Sequence, residues 1–300
     1  FKLLAQPGQL LSYSNEGFCL LGGIIERVFN KPYELVAEEL VFRPLKMESS
    51  FVGKNENAIF KNIAEPLVSW HQGIGSERTH YWEAPLFYAA GGLMASAKDM
   101  NTLISALSGS SNFLNPRQYQ QVPCNPMPVA SRSNKNCAYG LGIEIEHINT
   151  QKTLLWHTGQ RPGISSFVGH LIEKRLSVSL LANITDAPTS IIGRLVFSHL
   201  LRKEINNRTL KWPQKNKKMK SDERDFEHFV GIYGSPEVGE YKVYINNKKL
   251  LMQFKNSNKE MLFNDQTSGV VGVQSFKFMF KNCTKSDAIA LDLRILQRLE

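Results

Sequence analysis

The sequence predicts an α/β chain of the α+β kind: an antiparallel sheet with flanking helices, followed by a small β-rich module, a closed barrel or sandwich. Three observations predict it. Apolar residues recur at helical spacing near residues 16–41 and again near 97–107. Strand-like runs from Tyr139 to Asn183 lead into a closing helical segment. Short strands at close spacing, joined by Asn-rich turns, fill residues 225–300.

In order along the chain, Pro7-Gly8 opens a loop that runs through Tyr13-Ser14-Asn15-Glu16-Gly17. Asn15 suits an N-cap and Glu16 the acidic first turn of a helix over 16–29. Its predicted buried face is Phe18, Leu21, Ile25 and Val28. Gly22 and Gly23 weaken that helix, so close packing by a neighbour is expected there. Pro32 starts a second helix to about Val41, with Tyr33, Val36 and Leu40 on one face, and Pro44 ends it. Residues 52–90 read as irregular. Their aromatics Trp70, His71, Tyr81, Trp82, Phe87 and Tyr88 either wall a cleft or tuck onto the core.

Ser96 and Asp99 resemble a capping box before a helix buried through Met100, Leu103, Ile104 and Leu107, with Gly109 as the stop. Strands follow at 139–145, 153–157, 165–172 and 176–183. Asp186 and Pro188 start a helix to about Glu204, predicted to bury Ile191, Leu195, Val196 and Leu200. Strands are then expected near 231–233, 240–245, 249–254, 260–263, 270–273, 275–280 and 288–293, with turns at Asn246-Asn247 and Asn256-Ser257-Asn258. The domain reading is therefore 1–205, a linker over 206–224, and a β-rich domain over 225–300.

With 42% hydrophobic residues the chain can bury a substantial core, which excludes a disordered class. No apolar run is long enough to span a membrane. The formal charge is +9, much of it in Arg202, Lys203, Arg208, Lys211, Lys215, Lys217, Lys218 and Lys220. That cluster reads as a solvated linker; a polyanion surface is the alternative. With no nucleic-acid module beside it, no nucleic-acid partner is expected. Cys19, Cys124, Cys137 and Cys283 form no Cys-x-x-Cys pair, so no metal or redox site is expected. Cys124 and Cys137 could close a loop in an oxidising compartment, which spacing alone does not establish. Phe1-Lys2-Leu3-Leu4 lacks an initiator Met and a leader pattern, and runs straight into the Pro-Gly loop. A chain that starts inside a domain is expected, rather than a mature form cut after a signal peptide.

Two short motifs carry chemistry. Tyr13 and Asn15, two apart in a loop against a helix start, can point two polar heads into one cleft. A turn tyrosine with a capping asparagine is the plainer reading. His157-Thr158-Gly159 ends a strand, where Gly159 would let a ligand approach the backbone. A core histidine is the plainer reading there.

Together they resemble the Tyr-x-Asn and Lys/His-x-Gly motifs of the serine β-lactamase and penicillin-binding-protein superfamily. Further blocks agree in order: Leu20-Leu21-Gly22, Phe42-Arg43-Pro44-Leu45-Lys46-Met47, Ala90-Gly91-Gly92-Leu93 with Asp99-Met100, and Pro162-Gly163-Ile164-Ser165-Ser166. The resemblance, to the class C β-lactamase-related group of D-Ala-peptidases and esterases, covers about residues 1–204. It implies a β-lactamase-like sheet with flanking helices, and a lipocalin-like barrel over the C-terminal strands.

It also implies roles. Tyr13 is the general base or proton shuttle, and Asn15 orients the lysine and substrate. His157 replaces the family's Lys, and Thr158, Gly159 and Gln160 line the substrate strand, with the Gln160 N–H as an oxyanion donor. The implied reaction is acyl transfer from an ester, amide or peptide through a serine acyl-enzyme. No cofactor is implied, the partner is a small-molecule or peptide substrate, and relatives of this kind act in the periplasm or outside the cell. His in place of Lys weakens a fixed positive charge, which favours ester or peptide substrates over β-lactams. The family's Ser-x-x-Lys is missing: no Lys here has a Ser or Thr three residues before it. As given, the chain is expected to lack covalent chemistry. A non-catalytic binder of a peptide or cell-wall ligand is the alternative.

Overall fold

A computed structural model describes residues 6–53, 63–69, 76–78, 85–109, 112–115, 117–118, 127–128, 137–185, 187–201, 226–235, 238–263, 268–271, 274–279, 286, 288–291 and 294–299. Trp70, His71, Tyr81, Trp82, Asp186, Glu204, Cys124, Cys283 and the basic cluster at 202–220 lie outside these residues. So does the whole of the expected linker, 206–224. The chain divides into two compact units. One comprises Asn15–Pro126 with Gly140–Leu210; the other comprises Phe1–Ser14, Met127–Tyr139 and Lys211–Glu300.

In the sheet-and-helix unit, α1 spans Asn15–Phe29. Half of its predicted face is covered: Phe18 and Ile25 are half-buried. Leu21 and Val28 are exposed, as are Leu20 and Ile24, while Gly22 is buried. A Cβ on Gly22 would sit 2.5 Å from the Ala89 Cβ, so Gly22 is where helix α3 (Tyr88–Gly91) comes closest. Gly23 has nothing that near. The second helix, α2, covers Tyr33–Ala37, with Pro32 as its N-cap residue, and continues as a π-turn over Glu38–Phe42. The wider turn rotates the face, so Phe42 is buried and Leu40, expected inside, is exposed. Phe42, Met47 and Val52 form the local core.

Strands β1 (Ser50–Val52) and β4 (Leu93–Ala95) pair antiparallel, as do β2 (Leu67–Ser69) and β3 (Ser76–Arg78). Helix α4 covers Ala97–Leu107, and Ser96 caps it: its Oγ accepts from the Asp99 N–H at 3.1 Å. The reciprocal half of the expected box is not made. The buried Asp99 carboxylate instead accepts from the Ser49 N–H and the Ser50 hydroxyl, both at 2.8 Å, and ties α4 to β1. The backbone N–H of Ser96 donates to the Ser49 carbonyl.

Strands β5 (Met127–Pro128) and β6 (Cys137–Tyr139) pair with each other and belong to the barrel unit. The single strand expected over 139–145 is broken: Gly140 to Ile143 form a turn, with Gly142 at φ +77°. Then β7 (Glu144–Asn149), β8 (Lys152–Arg161), β9 (Ile164–Leu171) and β10 (Leu176–Ala182) make an antiparallel meander. Helix α5, Thr189–Leu201, packs on β9 and β10. It buries Gly193, Phe197 and Leu201, whereas Leu195 and Leu200, expected inside, are exposed. A Cβ on Gly193 would meet the Phe167 ring at 2.2 Å. Phe167, Phe197, Trp156, Leu154 and Leu171 form the core beneath the helix.

The other unit contains a closed eight-stranded antiparallel barrel: β11 (Gly231–Ser235), β12 (Gly239–Asn246), β13 (Lys249–Phe254), β14 (Ser257–Phe263), β15 (Ser268–Val271), β16 (Gln274–Met279), β17 (Ala288–Leu291) and β18 (Arg294–Arg298). Each strand pairs with the next, and β11 with β18 closes the ring. The expected seventh strand, 288–293, stops at Leu291, and β18 is an eighth strand not expected from the sequence. The turns also move. Asn246↔Lys249 leaves Asn247-Lys248 as the loop, both with positive φ, the I′ form that suits strand twist. Phe254↔Ser257 leaves Lys255-Asn256, one residue earlier than expected. Tyr233, Phe276, Phe278, Ile289 and Leu296 fill the interior, and an eight-stranded ring is just wide enough to be packed this way.

Candidate active site

Strand β8 carries the motif. Its pairing with β7 ends at Glu144↔Trp156, while its pairing with β9 continues to Arg161↔Ile164. His157–Arg161 therefore extends past the β7 ladder while held on the β9 side. Thr158, Gly159 and Gln160 are exposed, and His157 and Arg161 are half-buried. Trp156, just before the motif, is fixed from behind: it is 4% exposed, packs on Phe167, and lies under the Arg194 guanidinium, which pairs with Glu146 at 2.7 Å. The hairpin turns at Pro162-Gly163, where Gly163 takes φ +80° and donates its N–H to the Thr185 hydroxyl at 2.7 Å.

His157 Nδ1 is 2.7 Å from the Thr158 carbonyl oxygen. A carbonyl only accepts, so Nδ1 carries the proton, and in the neutral ring Nε2 holds the lone pair. Burial lowers the His157 pKa from its usual 6.5, with the Thr158 carbonyl acting the other way. The imidazole is therefore neutral at pH 7, a base in place of a fixed cation. A Cβ on Gly159 would crowd the hydroxyl of its cross-strand partner Ser166, which would have to rotate away.

The sequence reading missed Arg161. It sits two residues beyond Gly159, and its guanidinium reaches the Gly91 backbone, where an added Cβ would be 3.7 Å from Nη2. Two separate blocks, Ala90–Leu93 and His157–Gly159, are thus brought side by side. Burial lowers the Arg161 pKa, and the neighbouring Tyr88 works against that. The strand end keeps a guanidinium although His157 carries no fixed charge. Its only signal in the sequence is its place on the motif strand.

Asn15 is the first residue of α1 in the same unit. Tyr13 belongs to the barrel unit. Its ring meets Tyr139 edge-on at 5.9 Å and 81°, and the Arg294 guanidinium lies 4.8 Å from its centroid. Neither neighbour was foreseen. A groove of about 600 Å³ along α4, lined by Lys98, Asn101, Thr102, Ser105 and Arg175, includes no motif residue. Among the described residues, no three His, Cys, Asp or Glu side chains are grouped to hold a metal ion, and no helix is long and apolar enough to cross a membrane.

Comparison with known proteins bears on the family and the fold. The chain is 29% identical over 171 residues to the probable fimbrial assembly protein FimD, serogroup H1, of Dichelobacter nodosus, covering 56% of this chain and 40% of that protein. It spans 31–40% of the length of the first curated relatives it matches. Among solved structures, SurE superposes with TM-score 0.67 at 18% identity, covering all of this chain and 71% of SurE, a likeness of fold. The D-amino acid amidase of Ochrobactrum anthropi SV3 superposes with TM-score 0.51 at 25% identity, covering 60% of this chain and 52% of the amidase. The family model described as Beta-lactamase matches residues 2–199. That match runs from ahead of the Pro-Gly loop into α5 and takes in every motif block from Tyr13 to Ser166, and on it the chain belongs to the β-lactamase family.

Proposed function

We propose that this chain supplies the proton-transfer and oxyanion half of a serine hydrolase site, acting by acyl transfer on an ester, amide or peptide. The observation that carries the reading is the β8 end: a strand segment extended past its β7 ladder, with a neutral His157 at its base and Arg161 at its tip. In this reading a serine oxygen attacks the substrate carbonyl carbon and its proton passes to the Tyr13 oxygen. The Gln160 N–H and the serine's own N–H hold the oxyanion. The bond to the leaving group breaks as that group takes the proton from Tyr13. Water then repeats the sequence and frees the acid. Asn15 orients the lysine and the substrate amide, and Thr158 and Gly159 form the wall along which the substrate lies.

The serine and lysine come from sequence outside these 300 residues. Two observations support this: no Ser-x-x-Lys occurs here, and the chain spans 31–40% of its curated relatives. The apolar residues Leu20, Leu21, Ile24 and Val28, exposed on α1, are the kind of surface such a segment would cover. The substrate class to test first is a small amide or peptide with a D-residue, since one structural neighbour is a D-amino acid amidase. The division at 205 and 225 belongs to the same proposal, as does the lipocalin likeness of the barrel.

The missing Ser-x-x-Lys favours a second reading, a non-catalytic protein that keeps the cleft for a peptide or cell-wall ligand. Hydrolysis of p-nitrophenyl esters by this chain joined to whatever sequence accompanies it in the natural protein, and by the Tyr13→Phe variant of that protein, separates the two. Turnover lost in Tyr13→Phe supports the hydrolase. Equal turnover by both proteins removes Tyr13 from the mechanism. Ligand binding with no turnover supports the second reading.

A further inference from the structure

The last strand of the barrel grips the Tyr13 loop at two successive residues. The Ile295 N–H donates to Ser12 Oγ at 3.3 Å, and the neighbouring Arg294 guanidinium lies 4.8 Å from the Tyr13 ring centroid. Ser12-Tyr13 and Arg294-Ile295 therefore meet in register, 283 residues apart at the Ser12–Ile295 bond. Tyr139, 6% exposed, meets the same ring edge-on at 5.9 Å. Ile295 and Leu296 are buried in the barrel, so the strand that presents Arg294 is anchored along its length.

We propose that Arg294 is a positioning residue for Tyr13: from the barrel it holds the phenol ring in place and its charge favours the ionised oxygen. The inference rests on the base role of Tyr13 and gives the barrel a part in the reaction. A guanidinium over a tyrosine ring is attracted by its negative face, which fixes the ring plane. The same cation stabilises the charged form of a nearby phenol over the neutral one. A phenol ordinarily ionises near pH 10, so a base of this type needs such help to accept a proton near neutrality.

The test is a pH titration of the protein by NMR with isotope-labelled tyrosine, the Tyr13 signal being assigned from its loss in Tyr13→Phe. In Arg294→Gln the Tyr13 midpoint moves to higher pH by about one unit or more. In Arg294→Lys, which keeps a cation, most of that shift is absent. Near-ultraviolet circular dichroism checks that both variants keep their packing. In the protein that includes Ser-x-x-Lys, the acid limb of kcat/KM moves with the midpoint while KM stays in place. An unmoved midpoint in a folded Arg294→Gln overturns the inference, even where ester hydrolysis persists. A moved midpoint, where a protein that includes Ser-x-x-Lys shows no turnover, upholds the coupling and overturns the hydrolase reading instead.

Discussion

Replacing Asp99 by Ala tests the tie between α4 and the β1–β4 pair. Oδ2 of Asp99 accepts two hydrogen bonds at 2.8 Å, from the Ser49 N–H and the Ser50 hydroxyl, and the residue is 5% exposed. A hydrogen bond to a charged group contributes about 1.5–3 kcal/mol. The two partners do not lose equally. Ser49 is exposed, so its N–H regains water, whereas the Ser50 hydroxyl is buried. Asp99→Ala should therefore cost about 3 kcal/mol, nearer one charged bond than two. Asp99→Asn keeps an acceptor oxygen without the charge and should cost about 1 kcal/mol. Urea unfolding at neutral pH, followed by circular dichroism, reads both as shifts in midpoint at constant slope. A Ser50→Ala, Asp99→Ala double-mutant cycle should give a coupling of about 1 kcal/mol. An Asp99→Ala protein as stable as the parent, or an Asn variant as damaged as the Ala one, would refute the reasoning.

Adjacent glycines in α1 should respond with opposite sign. Gly22→Ala forces a methyl to within 2.5 Å of the Ala89 Cβ and should cost about 1–3 kcal/mol by overpacking. Gly23→Ala meets nothing within 4 Å and should gain up to about 1 kcal/mol from helix propensity, both read in the same urea assay. Stability should also fall on acidification. Burial lowers both His157 and His170 from 6.5, with Glu173 partly opposing this at His170. The unfolded chain thus takes up protons first, and the stability present above pH 6.5 is lost as pH falls through the depressed values. His170 is fully buried, with Nδ1 2.8 Å from Ser177 Oγ, so His170→Gln should show a shallower slope than the parent below that pH.

Element order was readable because it rests on apolar spacing and turn residues, and both survive into the folded chain. Buried faces were less readable, for one reason at two places. In α1 the close contact is made by Gly22 and in α5 by Gly193. A glycine adds nothing to a hydrophobic pattern, so the large apolar neighbours Leu21 and Val28, and Leu195 and Leu200, drew the predicted face away from the true one. In α2 the pattern was sound, but a π-turn changed the period and turned Leu40 outward. At Asp99 the local rule lost to a distant partner: a carboxylate suited to closing a capping box found β1 instead. The site followed the same division. The His157 strand was legible because its signal is local. The hold of Arg294 on Tyr13 was not, since nothing near either residue announces a partner at the other end of the chain.

If Tyr13 and His157 serve one reaction, as proposed, a double-mutant cycle on kcat/KM for an ester or D-amino acid amide will show it. Measured on the protein that includes Ser-x-x-Lys, Tyr13→Phe and His157→Ala should each lower kcat/KM by about 10²–10⁴-fold. The double variant should be no worse than the weaker single, because groups that act as a unit fail as a unit. Losses that multiply across the two positions, or a His157→Ala protein with full activity, would mean that the two residues do not act together.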